Sequence, residues 1–179
     1  MSNHPRLSPK PLLELRPGVM NAAFWRFEPP PRSEWECVRK VVLERDDYRC
    51  RFCGHRSLKK MHVHHLSRGD VHIPRNLATC CVACHAVLHI GLNLQFGAIE
   101  IWKCDLSQLQ IVRRTRNLIR EGLSLREIKK ALHLTRGELS CKSVGYANSL
   151  LLIGGRRKRI SLPEPYKAVF VKFKTWQLD

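Results

Sequence analysis

Two pairs of cysteines carry the clearest chemistry in this 179-residue sequence. Cys50 and Cys53 enclose Arg51 and Phe52, and Cys81 and Cys84 enclose Val82 and Ala83. Four thiolates in two such pairs suit tetrahedral zinc, with each sulfur about 2.3 Å from the ion. A closed four-sulfur set leaves no position for substrate, so the spacing predicts a structural Zn2+ that supplies folding energy to a small module. Cys80 adjoins Cys81, and the two-residue gap to Cys84 selects Cys81 as the ligand. The bland reading is four buried free thiols. In a reducing compartment, however, two matched pairs point to metal before disulfides.

Histidines stand between and beyond those pairs, at positions 62, 64, 65, 72, 85 and 89. His85 and His89 are four apart on a predicted helix, so they share one face and can offer two imidazoles to one ion. His64 or His65, arriving from a predicted strand, can complete the set. Such ligands are borderline-soft, which suits Zn, Ni, Co or Mn better than an all-oxygen site would and weakens the case for strict Mg dependence. The identity of this catalytic divalent metal (Zn, Ni, Mn or Mg) stays open. Each residue has a plainer reading. His62 alternates with His64 and reads as solvated or phosphate-contacting, and His72 as facing solvent or substrate. His55 can bond a thiolate, Asp70 can shape the loop, and Asn76 can cap it through nearby backbone.

The run RDDYRCRFCG, then MHVHHL, then NLATCCVACHAVLH, over residues 45–91, resembles the HNH endonucleases. That family builds a ββα-metal (His-Me finger) site from a hairpin, a loop and a helix around one metal, and many members carry the flanking cysteine pairs. The resemblance implies that His65 is the general base and His64 a metal ligand. It places His85 at the final ligand position and His89 at a further one found in histidine-rich members. Asn76 would hold the loop and orient the base, or touch the metal as in some branches. A DNA phosphodiester bond would be hydrolysed to 5′-phosphate and 3′-hydroxyl ends. A weaker resemblance adds GAIEIWKCDLSQ and runs towards HNH-like proteins of conjugative and type IVB secretion machinery, some of which have lost the histidines. A non-catalytic zinc component of such a coupling complex is therefore one alternative. A plain zinc-containing nucleic-acid binder is another.

Those side chains need elements to hold them. Ser33 and Glu36 fit a capping box opening a helix that Asp46 and Asp47 end. Residues 48–60 read as a turn with Gly54, and 61–66 as a strand, the second of a hairpin. Residues 67–76 read as a loop, and 81–90 as a short helix stopped by Gly91. A short strand is expected over 99–102. Asp105 with Gln108 should open a helix running to Arg120, with Gly122 beyond it, and Ser124 with Glu127 another, to about Leu132. Thr135 should then open the second helix of a helix-turn-helix, with Arg136 and Lys142 towards a groove. Val169, Val171 and Phe173 alternate as a late strand.

Composition sets the frame. Hydrophobic residues make up 44% of the chain, enough for a packed core, and the formal net charge is +17. Such a field attracts polyanions, nucleic acid foremost and DNA first among them, with a larger DNA-transfer or processing complex as a possible setting. Arg113, Arg114, Arg116, Arg136, Arg156, Arg157, Lys158 and Arg159 are the candidate phosphate contacts, and their plain alternative is a set of solvated faces. No apolar run spans a membrane and no secretory leader is evident, so a cytoplasmic protein of a bacterium or mobile element is expected. The expected organisation is α+β. It comprises a Pro-rich arm over 1–32 containing Phe24, Trp25 and Phe27, an HNH module with a structural four-cysteine zinc over 33–104, and a basic, mainly helical region over 105–179.

Overall fold

The computed structural model describes residues 30–66, 72–141, 145–146, 148 and 162–172. The aromatic cluster at 24–27, Asp70, Lys142, Ser149 to Ile153, the basic run Arg156, Arg157, Lys158 and Arg159, and Phe173 lie outside the described residues.

Helix α1 (Arg32–Arg45) starts two residues earlier than the Ser33 capping box predicts. Pro31, with φ −48°, is its N-cap and no side chain caps it. A proline ring presets a φ that suits a helix start, which puts Ser33 inside the first turn. The helix ends at Asp46, as expected. Asp47 and Tyr48, both at φ 51°, then reverse the chain. The Asp46 carboxylate is buried. It accepts from the Arg45 guanidinium at 2.9 Å, from Arg51 at 3.3 Å and from the Thr79 amide at 2.9 Å. It thereby ties the end of α1 to the hairpin that follows.

Strand β1 (Met61–His65) pairs antiparallel with β2 (Leu77–Cys81), from Met61 opposite Cys81 to His65 opposite Leu77. Met61 therefore opens the first strand of the hairpin and not the second. The preceding segment forms only an isolated bridge, Arg49 to Arg56. Every residue of β2 is buried, and it runs directly into α2 (Val82–Leu88). The helix breaks at His89, where ψ turns to 51°, and resumes as α3 (Ile90–Gln95) through Gly91. Gly91 is not a stop; the chain turns at Gly97, with φ 59°. Asn93 donates its side-chain N–H to the His89 carbonyl at 2.9 Å, which steadies the break.

Strand β3 (Ile99–Lys103) pairs antiparallel with β4 (Tyr166–Phe170), Ile99 opposite Phe170. Helix α4 (Gln108–Arg120) opens on a capping box of Ser107 and Gln110, where Asp105 with Gln108 was expected. Helix α5 (Leu125–Ala131) has the Ser124–Glu127 box as read. Thr135 opens no helix. Its backbone bonds Lys103 in both directions, at 2.9 and 3.2 Å, and α6 (Glu138–Cys141) begins three residues later. The link between α5 and α6 is thus pinned to the edge of β3, where a helix-turn-helix would keep it a short turn.

These elements make a mixed α+β protein with two two-stranded antiparallel sheets among the described residues. One apolar cluster gathers the cysteine knuckle, α2, β3 and β4, with Val87, Ile90 and Ala168 fully buried. A second lies between β3, α4 and α5 around Trp102, Ile111, Ile128 and Leu132. Each buried Ile, Leu or Val contributes roughly 1.5–3 kcal/mol. Pairing of β3 with β4 joins residues 99–103 to residues 166–170, so the two parts of the chain share sheet and core. No helix among the described residues is long and apolar enough to cross a membrane.

Candidate metal centres

The four cysteines of the two pairs converge, with all four sulfurs within 4.8 Å of one another and all four residues buried. Cys53 and Cys81, from different pairs, are 3.6 Å apart at Sγ. Tetrahedral zinc with bonds of about 2.3 Å needs sulfurs about 3.8 Å apart, so the quartet fits a metal ion. Each pair folds the same way: the Cys53 amide donates to Cys50 Sγ and the Cys84 amide to Cys81 Sγ, both at 3.5 Å. The first pair sits in a turn closed by Gly54 at φ +85°, where a side chain would strain the backbone. The second caps α2, with Cys81 as its N-cap. Hydrogen bonds, from Cys50 first, hold the Cys53 thiol well below the usual range. Cys81 and Cys84 are pushed up, first by hydrogen bonding with Cys50. Cys80 is fully buried but stands outside the quartet, and burial pushes its thiol up. The thiolate-bonding role considered for His55 falls to its backbone, which bonds Cys53.

His64, His85 and His89 also converge, bringing one nitrogen each within 4.8 Å of one another. Strand β1 supplies His64, and α2 with its terminal break supplies the other two. Their rings meet edge to face, at centroid distances of 5.7 Å (His64–His85), 5.0 Å (His64–His89) and 4.6 Å (His85–His89). Three imidazoles turned about a common point can ligate one cation. Burial first, then the neighbouring His89, His62 and His64, push His85 down to about 2. Its ring is therefore neutral and keeps a lone pair for a metal at any physiological pH. His62 is not in the trio; it lies flat on His85, rings 4.5 Å apart and 5° from parallel. Phe52, inside the first cysteine pair, packs edge-on to His64 at 6.3 Å.

His65 points from β1 to a different set of neighbours. Trp35 of α1 stacks on it at 5.7 Å and 16°, and His72 meets it edge-on with Nδ1 3.4 Å from His65 Nε2. Asn76 is buried beside this residue, its carbonyl accepting from the Leu66 amide at 2.8 Å. The sequence marks neither Trp35 nor His72 as a neighbour of His65, since both reach it only through tertiary packing.

The basic residues divide. Arg114 and Arg136 are exposed, Arg136 lying over the Trp102 ring at 5.5 Å. Arg113 is exposed but donates through Nε to the Cys53 carbonyl at 3.1 Å. Arg116, expected to meet nucleic acid, is corrected: it is buried and donates to Cys81 Sγ at 3.0 Å. Its place on α4 points it into the knuckle, away from solvent. No protein-family model matches the sequence, and no curated protein matches it.

Proposed function

We propose that this chain is a metal-dependent endonuclease of the HNH type, cutting phosphodiester bonds in DNA, with a ββα-metal site beside a structural zinc. The convergence of His64, His85 and His89 at the junction of hairpin and helix carries this reading. His64, His85 and His89 would hold a divalent ion, which would supply positive charge to the scissile phosphate and the departing oxygen. The all-nitrogen set favours a borderline transition metal, zinc or nickel before magnesium.

His65 is the base. His65 Nε2 lies 3.4 Å from His72 Nδ1, which orients the ring. The neutral imidazole takes a proton from water as the water oxygen bonds phosphorus. The bond from phosphorus to the 3′ oxygen of the chain breaks, leaving 5′-phosphate and 3′-hydroxyl ends, and solvent protonates the leaving oxygen. Trp35 keeps the His65 ring from turning, and Asn76 fixes the loop next to it. Arg114 and Arg136 draw the phosphate backbone through an electrostatic, salt-sensitive attraction.

Nicking of supercoiled plasmid with added Zn2+, Ni2+, Mn2+ or Mg2+ tests this reading against the His65→Ala variant. Loss of a positioned base should slow nicking by roughly 10²–10⁴-fold. Equal nicking by both proteins would mean contamination. No nicking with any metal would leave the chain a zinc-containing structural component.

A further inference from the structure

We propose that Arg116 is the counter-ion of the four-cysteine centre, and that metal loading of this centre fixes helix α4 onto the cysteine knuckle. Arg116 plays this part whether or not the histidine centre is hydrolytic.

Three arginines of α4 stand on one face, at positions 113, 116 and 120. Arg113 bonds the Cys53 carbonyl at 3.1 Å, Arg116 bonds Cys81 Sγ at 3.0 Å, and Arg120 lies 3.5 Å from His55 Nδ1. One helix face therefore touches both cysteine pairs and the residue that follows the first knuckle turn. The contacts come from 60, 35 and 65 residues away in sequence, so they belong to the tertiary fold.

Arg116 is 6% exposed. A neutral thiol is a weak acceptor and does little to offset the burial of a guanidinium against it. Four thiolates around a divalent ion leave a net negative charge on the sulfurs. Against that charge the same contact becomes a charge-assisted hydrogen bond, roughly twice as strong as a neutral one. Its length fits: 3.0 Å, against 3.5 Å for the two backbone N–H donors to sulfur in the same knuckle. Partners beyond the direct ligands typically change metal affinity by about 10–100-fold. Linkage is reciprocal, so a metal that gains from Arg116 must also hold α4 more tightly to the knuckle.

The test compares Arg116→Met, which fills the space without charge, with Arg116→Lys, which keeps the charge, and with Arg114→Ala on the exposed face of the same helix. Zinc affinity of the full chain is measured by competition with a chromophoric chelator. The sulfur-to-metal charge-transfer band is read after Co2+ loading. The expected result is an affinity loss of about 10–100-fold and a shift of the band to longer wavelength in Arg116→Met. Arg116→Lys should recover most of both, and Arg114→Ala should match wild type. Equal behaviour of the Met and Lys variants, whether like wild type or equally weakened, overturns the proposal. Should Arg116→Met fail to fold, Arg116→Lys decides alone. A band and affinity near wild type support the counter-ion role, and a loss of about tenfold or more contradicts it.

Discussion

Cys80 and Cys81 are neighbours, almost equally buried at 0% and 1% exposure, yet they should respond very differently to truncation. Replacing either by alanine removes one sulfur from the core, a packing loss of about 1 kcal/mol. For Cys80→Ala that is the whole effect. Cys81 also caps α2 by accepting from the Cys84 amide, and losing a helix cap costs about 0.5–2 kcal/mol. It is also the sulfur bonded by Arg116, and losing a hydrogen bond to a charged group costs about 1.5–3 kcal/mol. Its sulfur is finally one of four that could hold a metal ion. The sum for Cys81→Ala is roughly 3 kcal/mol or more before any metal is counted. At about 2–4 °C per kcal/mol for a chain of this size, Cys80→Ala should lower Tm by about 2–4 °C and Cys81→Ala by at least about 6 °C. Thermal unfolding followed by circular dichroism, with zinc per chain measured on the same samples, checks both. If the two variants lose equal stability, or if Cys80→Ala sheds the zinc while Cys81→Ala keeps it, the assignment of the quartet is wrong.

Acid should destabilise the protein through His85. Its pKa falls from 6.5 to about 2 on folding, so below pH 6.5 the unfolded chain takes up a proton that the native ring refuses. Stability from this group is full above pH 6.5 and declines as pH falls, by at most about 1.4 kcal/mol per unit. Urea midpoints in the presence of a chelator should fall between about pH 6.5 and pH 4, and the slope should flatten in His85→Ala; an unchanged slope would refute it. Trp35→Ala should reduce plasmid nicking about tenfold or more by loosening His65, since an ångström of misplacement in a reacting group is enough for that. Metal affinity should stay unchanged and Trp35→Phe should restore most of the rate. A parallel loss of metal would place Trp35 in the metal centre instead.

The parts of the site that were legible in the sequence are those fixed by short spacing. Two residues between cysteines, and the four-residue step from His85 to His89, are local geometry, and a turn or a helix converts them directly into shared ligands. The Ser124 capping box was legible for the same reason. Contacts made at long range were not. Arg116 reads as one more solvent-facing arginine until α4 is docked on the knuckle, 35 residues from Cys81 in sequence. Nothing in the local sequence joins Trp35 to His65; their rings meet only through tertiary packing of α1 against β1. Gly91 looks like a helix stop, but the burial of Ile90 and Leu94 carries α3 through it. Thr135 looks like a helix start, and its backbone is instead claimed by Lys103. In each case tertiary packing outweighed a local preference worth about 1 kcal/mol.

If His64, His85 and His89 form a metal centre separate from the four cysteines, the chain binds a second metal ion. Counting metal per chain after saturation with Zn2+ and removal of the excess tests it most directly, in wild type and in His85→Ala. Two equivalents in wild type, falling to one in the variant with the fold intact, is the predicted result. One equivalent in both proteins, or two in both, would contradict it.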